Sequence, residues 1–187
     1  IRVIICRIIF RGGMPMRLRS LKVKDLTILA MLTALNIVMA EIMKFPIIPK
    51  VLELSFGFVP IAVTGMLFGP VPAMAVAVVG DIIGALIFST GDFFFGYTLT
   101  SLLTGLFYGL FLRGEKPRLG RLLLCQALVS LVCYAGLNTL WAYLMGYART
   151  SQYIVTRLTV NAIAYPVYVL VLYLLCRYRP VLERAVK

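Results

Sequence analysis

Histidine is absent from all 187 residues. With it go the Ser-His pair of rhomboid-like proteolysis, zinc sites built on HExxH and most proton relays. Acid is scarce too: seven Asp and Glu stand against nineteen Lys and Arg. Asp81, Asp92, Glu41 and Glu53 form no paired motif of the kind that general acid–base chemistry uses. There is no G-x-x-x-x-G-K-[ST] loop, so ATP-driven work by this chain needs separate subunits. The four cysteines, Cys6, Cys125, Cys133 and Cys176, lack C-x-x-C spacing, and three lie in or beside apolar runs, where a thiol is a small apolar filler. A membrane-embedded enzyme therefore has no recognisable catalytic set here, and neither a metal nor a cofactor site is legible.

What the chain has is apolar length. Its hydrophobic content is 61% and its mean hydropathy +0.97, whereas soluble domains average about 45–50% apolar. The composition predicts an all-α, polytopic membrane protein. The net charge of +12 could serve nucleic acid, but a basic chain of this composition carries its charges in cytoplasmic loops. Residues 1–13, IRVIICRIIFRGG, are broken by Arg2, Arg7 and Arg11 and give no continuous core for a signal peptide. We expect them to be an upstream extension or disordered leader, with Met14 or Met16 as the start and 14–187 as one membrane-embedded domain. The alternative is a short amphipathic membrane-surface segment.

Residues 54–109 organise the rest. The stretch is almost wholly apolar and small, is punctuated by Gly69-Pro70 with Pro72 and by Ser89-Thr90-Gly91-Asp92, and alternates nowhere at period 2. Small residues recur four apart: Gly65 and Gly69, Ala73 and Ala77, Gly80 and Gly84, Gly105 and Gly109. That spacing lets membrane helices approach closely, in a solvent that offers no hydrophobic drive between them. Asp81 falls mid-span. An ionisable group there costs roughly 2.5–3.5 kcal/mol on insertion scales, so it is expected to face the bundle interior with a partner.

SFGFVPIAVTGMLFGP, then VGDIIGALIF, then GDFFFGYTLTSLLTGLFYGLFL together resemble the S component of an energy-coupling-factor vitamin transporter, specifically the folate-type family, over about residues 24–178. The resemblance implies six transmembrane helices and a vitamin bound on the outer side, in a prokaryotic plasma membrane. It also implies docking on a shared energising module, made of a membrane-embedded coupling subunit and two cytoplasmic ATPase subunits. Helices are expected over 24–43, 56–68, 72–88, 95–112, 122–145 and 157–176, with a loop at 45–55 that, with 89–96, acts as a lid. In the first helix Ala30 and Ala34 form an A-x-x-x-A pair, which the resemblance makes the docking face.

Six spans put both termini on one side. Arg17, Arg19, Lys22 and Lys24 precede the first span. Arg113, Lys116, Arg118 and Arg121 lie between the fourth and fifth, and Arg177, Arg179, Arg184 and Lys187 follow the last. The opposite segments hold only Lys44, Lys50, Arg149 and Arg157, so the positive-inside rule makes both termini cytoplasmic and accounts for the charge without nucleic acid. Tyr97, Thr98 and Ser101, then Asn138 and Trp141, then Arg157 and Asn161 fall in the outer turns of helices 4, 5 and 6, capped by Phe93, Phe94 and Phe95. With Asp81 they are the candidate substrate-binding set for a folate-like vitamin. Aromatic faces stack a pterin ring, Asn amides read its edge, and Arg157 pairs with a carboxylate. The competing readings are an interfacial aromatic belt with Arg157 as a helix anchor, an S component for a different vitamin, and a structural or channel-like membrane protein.

Overall fold

The computed structural model describes residues 22–42, 45–48, 52–88, 94–113, 119–146 and 151–186. The expected leader at 1–13 and most of the lid segment at 89–96 lie outside the described residues. Seven helices and one hairpin follow in order: α1 (Val23–Ile42), β1 (Phe45–Ile48), β2 (Leu52–Leu54), α2 (Phe58–Leu67), α3 (Pro70–Phe88), α4 (Phe95–Leu112), α5 (Leu119–Leu144), α6 (Ser151–Arg177) and α7 (Arg179–Val186). Five of them, α1, α3, α4, α5 and α6 (the last over Ile154–Arg177), are long and apolar enough to cross a bilayer, and α2 is a shorter apolar helix. The chain is thus a helical, multi-pass membrane protein.

The breaks arise where the sequence cannot continue a helix. α2 ends as the N–H groups of Phe68 and Gly69 both donate to Thr64 O, and Gly69 takes φ +97°, a conformation that costs glycine little. Pro70 and Pro72 then occupy the first turn of α3, where a missing N–H leaves no bond unmade. The 45–55 segment, expected as a loop because of Pro46 and Pro49, instead folds in part into an antiparallel pair, with Phe45 opposite Leu54 and Pro46 opposite Glu53. Its register shifts between Pro46 and Ile48, an irregularity that suits a short edge strand bearing proline.

Helices α3 and α4 run antiparallel in the closest contact of the bundle. A Cβ at Gly105 would sit 2.7 Å from Ala73 O, one at Gly109 2.7 Å from Pro70 N, and one at Gly65 on α2 2.8 Å from Gly109 N. The expected small-residue seams are therefore real backbone-to-backbone contacts. α1 packs beside α3, with Asn36 against Gly80 and Glu41 against Gly84. The buried Asn36 amide also donates to Gly57 O at 2.6 Å, tying α1 to the start of α2. The core joins Phe58, Ile61 and Met66 of α2 with Tyr108 and Leu112 of α4, Leu122 and Val129 of α5, and Tyr168 and Leu172 of α6. Inside it Tyr108 Oη donates to Gln126 Oε1 (3.0 Å), and Gln126 Nε2 donates to Ser130 Oγ (3.2 Å), so the buried amide is not left unpaired.

The start of α6 and the winding of α5 and α1 depart most from expectation. α6 begins at Ser151 rather than at 157, because Ser-Gln-Tyr-Ile-Val-Thr is compatible with helix and Arg157 does not have to mark its start. α5 widens into a π-helix over Val129–Leu137, and the last turn of α1 does the same over Val38–Ile42.

Candidate functional site

The ends of α1 and α3, the starts of α4 and α6, the end of α5 and the hairpin share one end of the bundle, here called the hairpin end. Glu41 of α1 lies over Gly84 near the end of α3. Trp141 near the end of α5 lies over Gly96 in the first turn of α4, and β2 contacts α6.

Helix α4 is the strip on which the candidate residues are arranged. On one side Thr98 Oγ1 donates to Asp81 Oδ2 at 2.7 Å and Ser101 Oγ donates to Asp81 Oδ1 at 3.1 Å. The mid-span carboxylate of α3 therefore has the interior partners that its cost demands. On the other side Trp141 Nε1 donates to Thr100 Oγ1 at 3.0 Å, and Thr100 Oγ1 donates in turn to Gly96 O at 3.2 Å. With 3.6 residues per turn, the Asp81 side and the Trp141 side of α4 are about 150° apart around its axis, and Tyr97, Thr104 and Tyr108 fall between them. Exposed Phe95 and Leu99 occupy the opposite, outward face.

Aromatic rings close the top of this strip. Phe94, the residue before α4, lies with its centroid 5.6 Å from Trp141 at 51°, and 6.4 Å from Tyr97 edge-on at 79°. Only a residue without a side chain fits beneath them, since a Cβ at Gly96 would sit 2.5 Å from both the Phe94 and Trp141 rings. One turn before Trp141, Asn138 is half-buried. Its backbone N–H reaches Cys133 O, five residues back, at the close of the π-helical stretch. Its side-chain Oδ1 is buried and accepts no hydrogen bond among the described residues. A buried acceptor in that state costs about 1–3 kcal/mol and is satisfied by any donor that enters.

The structure thus sets two groups along α4, Asp81 with Thr98 and Ser101 on one side and Phe94 with Tyr97 and Trp141 on the other, with Asn138 one turn before Trp141 on α5. Arg157 and Asn161 form a separate pair on α6. Both are half-buried, and Asn161 Nδ2 donates to the carbonyl of Arg157 at 2.9 Å, so one N–H of this amide serves its own helix. Arg157 is the fourth residue of the span Ile154–Arg177, in its first turn. Thr100 and Gly96 were not anticipated from the sequence. The row Gly96, Thr100, Thr104, four apart on α4 and all buried, was the signal that could have found them. Ala30 and Ala34 are both exposed, on a helix that buries only Asp25 and Asn36.

The model of the ECF transporter substrate-specific component family matches residues 24–176. Among curated relatives, the folate transporter FolT of Clostridium novyi (strain NT) is 31% identical over 152 residues, 81% of this chain and 87% of that one. The folate transporter FolT of Leuconostoc mesenteroides subsp. mesenteroides is 31% identical over 162 residues, 83% of this chain and 86% of that one. Among solved structures, a crystal structure of FolT bound with folic acid superposes with a TM-score of 0.78 at 29% identity, covering 83% of this chain and 94% of the other. On the family match over nearly the whole described chain, with a relative above 30% identity across most of both lengths, this protein belongs to the substrate-specific components of ECF transporters.

Proposed function

We propose that this chain is the folate-binding subunit of an energy-coupling-factor importer in a prokaryotic plasma membrane. It holds the vitamin at the hairpin end and delivers it by docking on a membrane-embedded coupling subunit that is driven by two cytoplasmic ATPase subunits. The observation that carries the reading is the likeness, over 83% of the chain, to a FolT structure bound with folic acid. The site chemistry supports it. Phe94, Tyr97 and Trp141 offer aromatic faces to a pterin ring. Asn138 Oδ1 is an acceptor awaiting a donor, and Asp81 and Ser101 supply a polar edge across α4. Arg157 and Asn161 on α6 serve the acidic tail and the ring edge respectively.

In this reading there are six spans, with α2 as the sixth. Its ten residues rise about 15 Å, half a bilayer core. Longer helices surround it, so its ends do not have to reach lipid headgroups. The distribution of basic segments supports cytoplasmic termini and a hairpin end outside. The exposed Ala30 and Ala34 face is the docking surface, small enough for another helix to approach closely. The hairpin is the lid over the site.

Binding of labelled folate to the detergent-purified protein tests the reading, together with mass spectrometry of whatever ligand co-purifies. Saturable folate binding is expected. A different vitamin recovered from the purified protein, with no folate binding, would overturn the ligand assignment and leave the family membership standing.

A further inference from the structure

At the end of the bundle opposite the hairpin, α6 leaves its span at Arg177 and, after a break at Tyr178, continues as the short helix α7. Pro180 in the first turn supplies no N–H, and the chain turns through bonds from Val181 N and Leu182 N to Tyr178 O. Leu182 packs onto the core, which fixes which side of α7 faces inward. Arg177 closes α6, Tyr178 lies in the break, and Val181 and Arg184 lie three apart on α7; all four are exposed, Tyr178 at 59% and Val181 at 61%. The stripe therefore interleaves two guanidinium groups with an aromatic ring and an aliphatic side chain at the point where a span ends. Arg113, Arg121, Lys22 and Lys24 lie at this same end of the bundle, and its one described acid outside α7, Asp25, is buried and accepts from Lys22 N at 3.1 Å.

We propose that the Arg177–Tyr178–Val181–Arg184 face is a binding surface for anionic phospholipid. The guanidinium groups pair with headgroup phosphates while Tyr178 and Val181 sit at the boundary with the acyl chains. Each component matches that boundary: aromatic rings and long cationic side chains collect at the headgroup level, and juxtamembrane arginines are drawn to anionic lipid. Lipid is favoured over a protein partner by position, since the face begins where the span Ile154–Arg177 ends, at the level of the headgroups.

The test uses the full chain in bilayer discs of phosphatidylcholine with phosphatidylglycerol, and native mass spectrometry to count the lipids that stay on the released protein. The parent is expected to retain phosphatidylglycerol over phosphatidylcholine. Arg177→Gln with Arg184→Gln is expected to lower that preference by an order of magnitude or more, at about fivefold per arginine, and raised salt to weaken it further. Lys22→Gln with Lys24→Gln removes the same charge elsewhere at this end and is expected to leave most of the preference intact. Equal losses in the two variants would mean that charge alone is read and would overturn the site. So would unchanged retention in the arginine variant. If that variant also failed to assemble with the coupling subunit, the surface would be reassigned to protein docking. Folate binding by the arginine variant, measured alongside, separates failure of this site from failure of the substrate reading.

Discussion

Helices α1 and α2 are both apolar, and the structure uses them in opposite ways. α1 is 20 residues long and buries only Asp25 and Asn36. α2 has ten residues, and all but Val59 and Leu67 are buried. Length explains part of the difference, since a helix too short to reach both headgroup layers is stable only when other helices surround it. Side-chain size explains the rest. α2 presents Gly65 to the backbone of α4 at contact distance, whereas α1 turns Ala30, Ala34, Met31 and Leu35 outward. In lipid, hydrophobicity does not separate core from surface, and close backbone approach does.

Four variants and one control break or sharpen that contrast. The largest effect is expected where small residues hold the core: Gly109→Leu drives a side chain into the backbone of Pro70. Overpacking of this kind costs about 1–3 kcal/mol when neighbours can yield, and more when the obstacle is backbone. The variant is expected to lose its monodisperse peak in size-exclusion chromatography, while Gly120→Ala, with nothing within 4 Å, should elute as the parent does. A folded, monodisperse Gly109→Leu protein would show that the α3–α4 seam is slack. Next comes the exposed helix: Ala30→Trp with Ala34→Trp is expected to abolish ATP-dependent uptake in reconstituted vesicles and to leave folate binding by the isolated subunit intact. Loss of binding as well would place this pair in bundle packing.

A smaller effect is expected at the site. Arg157→Ala should weaken folate binding about ten- to a hundredfold, since a charged hydrogen bond is worth roughly 1.5–3 kcal/mol. A ligand lacking the glutamate tail should bind parent and variant alike. Equal weakening of both ligands would make Arg157 a helix anchor. Trp141→Phe keeps a ring on Phe94 but removes the bond to Thr100. It is expected to weaken binding only about two- to tenfold, with a matching fall in melting temperature. A loss as large as that of Arg157→Ala would make the indole N–H a direct ligand contact.

Much of this architecture was legible because membrane helices announce themselves by apolar length and by proline and glycine breaks. α4 occupies the expected residues, and α3 starts two earlier because Pro72 is the third residue of a first turn that tolerates both prolines. The demand that Asp81 find partners followed from cost alone. That they are Thr98 and Ser101 required the α3–α4 register, which Gly105 and Gly109 set by contacts made across the chain. The π-helical stretch of α5 had no signal, because a bond to the fifth residue back needs no particular side chain. α7 was missed because Pro180 reads as a stop, although it also fits the first turn of a new helix. The hairpin was hidden by Pro46 and Pro49, whose presence argues against a central strand but not against an edge pair. The pairing of Asn161 with the Arg157 carbonyl, like the Gly96–Thr100–Thr104 row, is a site feature that the four-residue spacing should have announced.

Trp141 is the single tryptophan of the chain, held among the described residues by its hydrogen bond to Thr100 and its ring contact with Phe94 in the candidate site. The protein therefore carries one tryptophan fluorophore, placed, in the proposed reading, where a pterin, which absorbs in the near ultraviolet, would stack. Its emission reports occupancy without a label, and quenching titrates the site directly in detergent or in vesicles. Because Thr100 holds the indole, the emission maximum of the empty protein also reads whether α4 and α5 are in register before any ligand is added.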